Sequence, residues 1–208
     1  IPKSMANSKS TDVFVNSGLE SVTFEEGITR IPALFTGAEN LKNISIPESA
    51  TCISKNAFKN CTSITELNLP SSIIHIEEAA FKGCTSLTDV NIPQSVTELF
   101  GWAFKNCTAL SSLRFEPIVN KSGSTHNNLT IGNEAFADSS VEFVDLFYGI
   151  ETIGEAAFRN CVNIKEITLP ETLTSIAANA FEGCTGLEKI TILCDPSVIP
   201  QGLLDTCT

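Results

Sequence analysis

Histidine, tryptophan, tyrosine and methionine are nearly missing from this 208-residue chain, which has two, one, one and one of them. Two histidines, His75 and His126, leave little for imidazole catalysis, which needs the ring beside a nucleophile that the fold holds in place. No two cysteines have the C-x-x-C spacing, so the signature of a zinc ribbon or a redox pair is missing. No Gly-rich phosphate loop, zinc-protease histidine pair or calcium loop occurs either. Basic residues are few, 13 Lys and Arg against 24 Asp and Glu, for a net charge of −11. Nucleic acids and anionic membranes call for basic patches, so neither is an expected partner. No apolar run approaches the ~18 residues of a membrane-spanning helix. Together these gaps point to a chain that is not an enzyme and takes no cofactor or metal.

What the chain has instead is repetition. The pair Ala-Phe recurs at Ala57-Phe58, Ala80-Phe81, Ala103-Phe104, Ala135-Phe136, Ala157-Phe158 and Ala180-Phe181, with steps of 23, 23, 32, 22 and 23 residues between the phenylalanines. Weaker copies extend the series to Phe14, Phe35 and Leu204. Three residues after the marker stand Cys61, Cys84, Cys107, Cys161, Cys184 and Cys207, with the small residues Ser17, Ala38 and Ser139 elsewhere. Each unit opens on a second landmark, such as Leu41-Lys42-Asn43-Ile44-Ser45-Ile46-Pro47.

A fixed period of this length is the mark of a stacked array, because one unit cannot bury its own apolar face and neighbours must share a core. The Ile-x-Ile and Val-x-Ile pieces alternate with period two and read as short strands with one face buried. Proline ends each strand, since it donates no ladder hydrogen bond. Ala-Phe-x-x-Cys is too short for an ordinary helix and suits a tight helical or 3-10 turn. Strands of successive coils, ~4.8 Å apart, would make a parallel sheet along a rod about 40 Å long. The phenylalanines should form one internal stack and the cysteines another. The cysteine row asks for a small apolar residue, so reduced thiols are expected there. Cys194 and Cys207, near one another in sequence, are the candidates for a bridge.

Leu-x-x-Ile-x-Ile-Pro followed by Ala-Phe-x-x-Cys-x-x-Leu resembles the BspA-like leucine-rich repeats, over about residues 19–208. The resemblance implies a right-handed α/β leucine-rich-repeat solenoid, with a parallel β-sheet on one face and short 3-10 or helical turns opposite. It also implies the extracellular or cell-surface setting of that family, and adhesion to a protein or glycan of a host matrix or another cell. It lends no binding residues.

The expected organisation is a degenerate capping repeat at 1–18, which covers the first exposed core face, and a solenoid of about eight 22–23-residue units at 19–208. Unit five carries an insertion at 116–128, rich in Ser, Gly and Asn, which reads as an exposed loop. Ile1-Pro2 matches a strand end and Cys207 a turn end. Both ends thus fall inside a repeat, and the chain is expected to be a monomer or part of a longer chain whose signal or anchor lies outside it.

Candidate binding residues follow from departures in the pattern. The outward positions of the strands are mostly Ser, Thr and Asn. Glu66 and Asp89 should be neighbours there and are placed to share a cation, although two carboxylates fall short of a calcium site. Phe100, Trp102, Phe143, Phe147 and Tyr148 put aromatics near the insertion, with Asp145 beside them, and aromatics carry interface energy out of proportion to their number. His75 and Cys52 share a repeat position one coil apart, which stacking alone accounts for. Asn128 is the most plausible glycan acceptor of the four Asn-x-Ser/Thr sites, Asn43, Asn60, Asn106 and Asn128. The rival reading for the whole chain is a spacer that holds a neighbouring domain away from a surface.

Overall fold

The computed structural model describes residues 1–2, 12–116, 128–146, 149–205 and 207. Most of the expected insertion loop, His126, Phe147 and Tyr148 lie outside the described residues. Every full coil contributes two short strands, the first from the period-two piece and the second from the stretch after the proline. The first kind comprises β1 (Ser21–Thr23), β3 (Asn43–Ser45), β5 (Glu66–Leu67), β7 (Asp89–Ile92), β9 (Ser112–Phe115), β11 (Phe143–Val144), β13 (Glu166–Leu169) and β15 (Lys189–Ile192). The second comprises β2 (Arg30–Ile31), β4 (Cys52–Ile53), β6 (His75–Ile76), β8 (Glu98–Leu99), β10 (Leu129–Ile131), β12 (Ile150–Ile153) and β14 (Ser175–Ile176). All pairings are parallel and join one coil to the next. The result is a parallel β-solenoid of about seven turns.

The two ladders differ. The even-numbered strands form one continuous seven-stranded sheet, β2 to β14. The odd-numbered strands pair as β1–β3, as β5–β7–β9–β11 and as β13–β15, with breaks after β3 and after β11. A sheet on one face is thus joined by a second sheet, built from two- to four-residue strands, that the repeat pattern does not announce.

Proline sets the corner between the two ladders. Its carbonyl accepts from the residue three further on, as in Ala50 to Pro47 (3.0 Å), Ile73 to Pro70 (3.2 Å) and Val96 to Pro93 (3.0 Å). This backbone turn closes on itself within one coil. Neighbouring corners are tied through side chains, Ser72 Oγ donating to the Ala50 carbonyl at 2.6 Å and Ser95 Oγ to that of Ile73 at 2.5 Å.

The Ala-Phe-x-x-Cys arc is not the helical or 3-10 turn expected. Among the described residues the only helical turn is a 3-10 turn at Pro196–Val198, beyond the last strand. The reason lies in two left-handed residues that flank the phenylalanine. Asn56 (φ 59°) and Asn60 (φ 59°) bracket Phe58, and Ala79 (φ 57°) and Gly83 (φ 75°) bracket Phe81. Asn and Gly tolerate that region well. Each left-handed residue stops a helix and re-aims the chain, so alternate N–H groups leave the coil. Asn56, Phe58 and Asn60 donate to the carbonyls of Glu78 (3.0 Å), Ala80 (2.8 Å) and Lys82 (2.7 Å) in the next coil. The N–H groups between them bond backward within the coil, as Lys59 does to Asn56. Apart from the breaks after β3 and after β11, both sheets and the arc are therefore hydrogen-bonded from coil to coil.

The interior consists of stacked rows. Phe35, Phe58, Phe81, Phe104, Phe136, Phe158 and Phe181 are fully buried. Their ring centroids are 5.2–5.6 Å apart with interplanar angles of 4–18°, and Phe14 adds a ring 5.1 Å from Phe35. Offset stacking at such distances adds to the burial of large apolar area. Ile31, Ile53, Ile76, Leu99, Ile131, Ile153 and Ile176 form a parallel row under the continuous sheet, each at most 6% exposed.

The cysteine row is also present and does more than save space. Each thiol donates to the carbonyl of the phenylalanine in the preceding coil: Cys61 to Phe35 (3.0 Å), Cys84 to Phe58 (3.2 Å), Cys107 to Phe81 (3.3 Å), Cys161 to Phe136 (3.2 Å), Cys184 to Phe158 (3.1 Å) and Cys207 to Phe181 (3.3 Å). Ser139, the substitute in unit five, turns its hydroxyl to its own Phe136 carbonyl at 2.6 Å. All eight cysteines are free thiols, Cys194 and Cys207 included, so the bridge considered for that pair is not formed. Burial pushes the Cys61 and Cys107 thiols up to about 12 and Cys161 up to about 11, and raises Cys84 and Cys184 as well. Thiolates are the reactive form. A disulfide-exchange reagent at pH 8 should therefore leave these five thiols unlabelled in the native protein and reach them only on unfolding. Prompt labelling of any of the five, read by peptide mapping, would contradict the row.

Candidate binding surfaces

Outward-facing side chains on the odd-numbered strands line up as the period demands. Ser21 pairs with Asn43, Glu66 with Asp89, Asp89 with Ser112, Asn91 with Arg114, Phe143 with Ser112 and Glu166 with Lys189. Charges on this face largely neutralise one another across coils. Lys42 meets Glu20 at 3.1 Å, Lys189 meets Glu166 at 2.9 Å and Lys165 meets Glu188 at 3.4 Å. Exposed pairs of this sort contribute about 0–1 kcal/mol each, so they set the surface potential more than the stability.

Glu66 and Asp89 do adjoin, but not as a cation site. Both oxygens of Asp89 accept from Arg114 Nη2 at 2.9 Å. Among the described residues no cluster of three or more His, Cys, Asp or Glu side chains is arranged to hold a metal ion.

The break after β11 coincides with the one large apolar side chain at the first outward strand position among the described residues. Phe143 is 75% exposed, where the other strands carry Ser, Asn, Asp, Glu or Lys. Beside it lies a groove of about 390 Å³ lined by Glu142, Phe143, Asp145, Lys165, Glu166 and Thr168. Among the described residues Asp145 and Glu66 have no ion-pair partner. The groove thus offers an aromatic face, a free carboxylate and a lysine along a line where the sheet is not closed.

Phe100 and Trp102 stand elsewhere. They follow β8, at the corner where the continuous sheet gives way to the arc, and are 40% and 38% exposed. Trp102 occupies a left-handed position (φ 61°). Lys82 Nζ lies 5.5 Å from its ring centroid. Lys105 and Arg159 hold Glu134, Arg159 at 2.7 Å, and the Lys105 bond foremost keeps that carboxyl below the usual range. The sequence-predicted residues therefore form three separate groups, Glu66 with Asp89, Phe143 with Asp145, and Phe100 with Trp102, and not one aromatic patch.

A row on the continuous sheet resembles catalytic chemistry only on paper. Cys52 pairs with His75 in register, yet the Cys52 thiol turns to Glu77 at 3.5 Å, and His75 Nδ1 faces Glu98 at 3.4 Å. Glu77 is itself held by Arg30 at 2.6 Å and by the Lys55 N–H at 2.8 Å. Burial first, then the Glu77 charge, pushes Cys52 up to about 11. A nucleophilic cysteine needs the opposite shift.

Short parallel strands on stacked coils, an outward polar sheet face and an inward row of aliphatic residues define a leucine-rich-repeat solenoid. The sequence profile of the BspA type leucine rich repeat region, in six copies, matches residues 7–126 and 129–208, and the chain belongs to that family. No curated protein matches. Among solved structures, the T. pallidum leucine-rich repeat protein is similar at 24% identity and a TM-score of 0.60, over 89% of this chain and 80% of that one. A leucine-rich repeat protein from Eubacterium ventriosum is similar at 20% identity and a TM-score of 0.59, over 88% of this chain and 57% of that one. A leucine rich cell surface protein from Faecalibacterium prausnitzii has 20% identity and a TM-score of 0.44, over 91% of this chain and 62% of that one. The chain thus spans less than two thirds of the last two proteins.

Proposed function

We propose that this solenoid is a non-catalytic recognition module, extracellular or on a cell surface, that binds a protein partner through the outward face of the odd-numbered strands. The carrying observation is Phe143, an aromatic ring 75% exposed on a face that is otherwise polar. Interfaces draw most of their energy from a few such anchors set in a polar surround. The neighbouring groove supplies Asp145, a carboxylate without an ion-pair partner among the described residues, and Lys165, which orient a partner more than they hold it. Phe147 and Tyr148 belong to the same stretch of sequence and are assigned to the same interface. Membership of the BspA type leucine rich repeat family supports the adhesive surface setting, and residues 1–18 are taken as the array's cap. Among the described residues no helix is long and apolar enough to cross a membrane.

Immobilised extracellular-matrix proteins and whole cells provide the test. The chain is expected to bind at least one of them saturably, with Phe143→Ala weakening binding about tenfold or more, as anchor residues do. Alanine at Phe147 and Tyr148 should act in the same direction while the cooperative unfolding transition stays in place. The unbroken phenylalanine stack also suits a rigid spacer. Silence against every surface, or binding that ignores Phe143, would leave the spacer as the better reading.

A further inference from the structure

The corner that carries Phe100 and Trp102 holds a cleft of about 270 Å³, lined by Glu78, Phe100, Gly101, Trp102 and Asn133. Its openness follows from what the next coils place there. The residue after the buried Leu99 is Phe100, and the matching residues after Ile131 and Ile153 are Gly132 and Gly154. With no side chain at either position, nothing from those residues covers the aromatic ring. Phe100 leans edge-on toward His75 of the preceding coil, 6.4 Å between centroids. Trp102 has Lys82 Nζ 5.5 Å from its ring centroid. The cleft therefore has aromatic walls, a backbone floor at Gly101 and two polar groups at its rim.

Those polar groups decide the chemistry. Asn133 Oδ1 accepts from the Glu155 N–H at 3.0 Å, which orients the amide and leaves its NH₂ group to donate. Glu78 is paired with Lys55 at 2.8 Å and keeps acceptor capacity. An aromatic wall with a carboxylate would ordinarily suit an ammonium ion. Here both features already have a cation, Lys82 at Trp102 and Lys55 at Glu78. A second positive charge would meet repulsion where a neutral ligand would not. The remaining fit is a molecule with an apolar C–H face and hydroxyls around its edge. Small-ligand sites combine just such aromatic walls with a few placed polar groups.

We propose that this cleft is a carbohydrate subsite. It takes a neutral pyranose ring stacked on Phe100 and Trp102, with ring hydroxyls donating to Glu78 and accepting from the Asn133 amide. The site lies on a different side of the coil from Phe143 and does not depend on the protein-binding role of the sheet face.

Trp102 is the chain's only tryptophan, so its fluorescence reports on the cleft directly. The intact protein is titrated with maltotriose, cellotriose, chitotriose and mannotriose, and separately with tetramethylammonium chloride. At least one trisaccharide should give a saturable change in emission. Phe100→Ala should weaken that binding at least tenfold, Phe100→Leu nearly as much while keeping the side-chain bulk, and Glu78→Gln severalfold. Phe143→Ala should leave it unchanged, which separates this site from the sheet face. The absence of a saturable change with all four sugars would overturn the proposal. So would sugar binding that survives both Phe100 variants, or saturation by tetramethylammonium in place of the sugars.

Discussion

Replacing Phe81 by alanine is expected to lower the free energy of unfolding by about 3–5 kcal/mol. The ring is fully buried and lies between Phe58 at 5.4 Å and Phe104 at 5.2 Å. Removing it takes away transfer energy and leaves a cavity, and the cost depends on how far the walls can close. These walls are poorly placed to close. Phe58 N donates to the Ala80 carbonyl and Phe81 N to the Ala103 carbonyl, both at 2.8 Å, so the backbones on either side of the gap are pinned at coil spacing. Phe14, at the end of the stack and only partly buried, should cost less when truncated. Urea unfolding followed by circular dichroism measures both. Because stacked repeats couple mainly to their neighbours, Phe81→Ala should also broaden the transition. A loss under about 1 kcal/mol would mean that the ring is not part of a packed spine.

Gly132→Ala is expected to cost about 2–3 kcal/mol, at the upper end of what overpacking usually costs. A Cβ built on Gly132 would come within 2.6 Å of Gly101 N and 2.7 Å of both Leu99 O and Phe100 C. All three are backbone atoms, so no side chain can swing away to make room. Retreat of Gly132 itself is also blocked, since its N–H donates to the Leu99 carbonyl at 2.7 Å. Gly18→Ala is the control, because nothing lies within 4 Å of its added Cβ. The same denaturation measurement should find Gly18→Ala close to neutral. Equal effects from the two substitutions would show that the close approach at Gly132 is not a constraint.

Much of this architecture is legible in the spacing of a few residues. A phenylalanine recurring at steps of 22 or 23 positions, with one step of 32 at the insertion, implies the stack, and the period-two pieces give the register that sets Glu66 beside Asp89. The second sheet is harder to see. Its strands are as short as His75–Ile76 and Glu98–Leu99, too few residues for alternation to be told from a turn. They become strands only because neighbouring coils hold them in line. The arcs mislead for a different reason. Ala79, Trp102 and Glu134 adopt left-handed backbone although none is Gly or Asn, so local propensity points away from the conformation that stacking imposes. The grouping of candidate residues fails in the same way: Phe100 and Phe143 look like parts of one aromatic neighbourhood until the second sheet puts them on different sides.

The self-closed proline corner bears on how such chains vary. Along the continuous sheet and the arc, neighbouring backbones are tied to one another, so a change in length there would slip one coil against the next. The corner's own backbone bond stays inside its coil. The chain's extra length enters between β9 (Ser112–Phe115) and β10 (Leu129–Ile131), at this corner of the circuit. Leu129–Ile131 nonetheless pairs in register with Glu98–Leu99 on one side, and with Ile150–Ile153 on the other across a bulge between Leu129 and Thr130. This position gives the molecule a socket: the one bulge takes up the mismatch and the strands beyond it keep their pairing, so display and scaffold can diverge at separate rates.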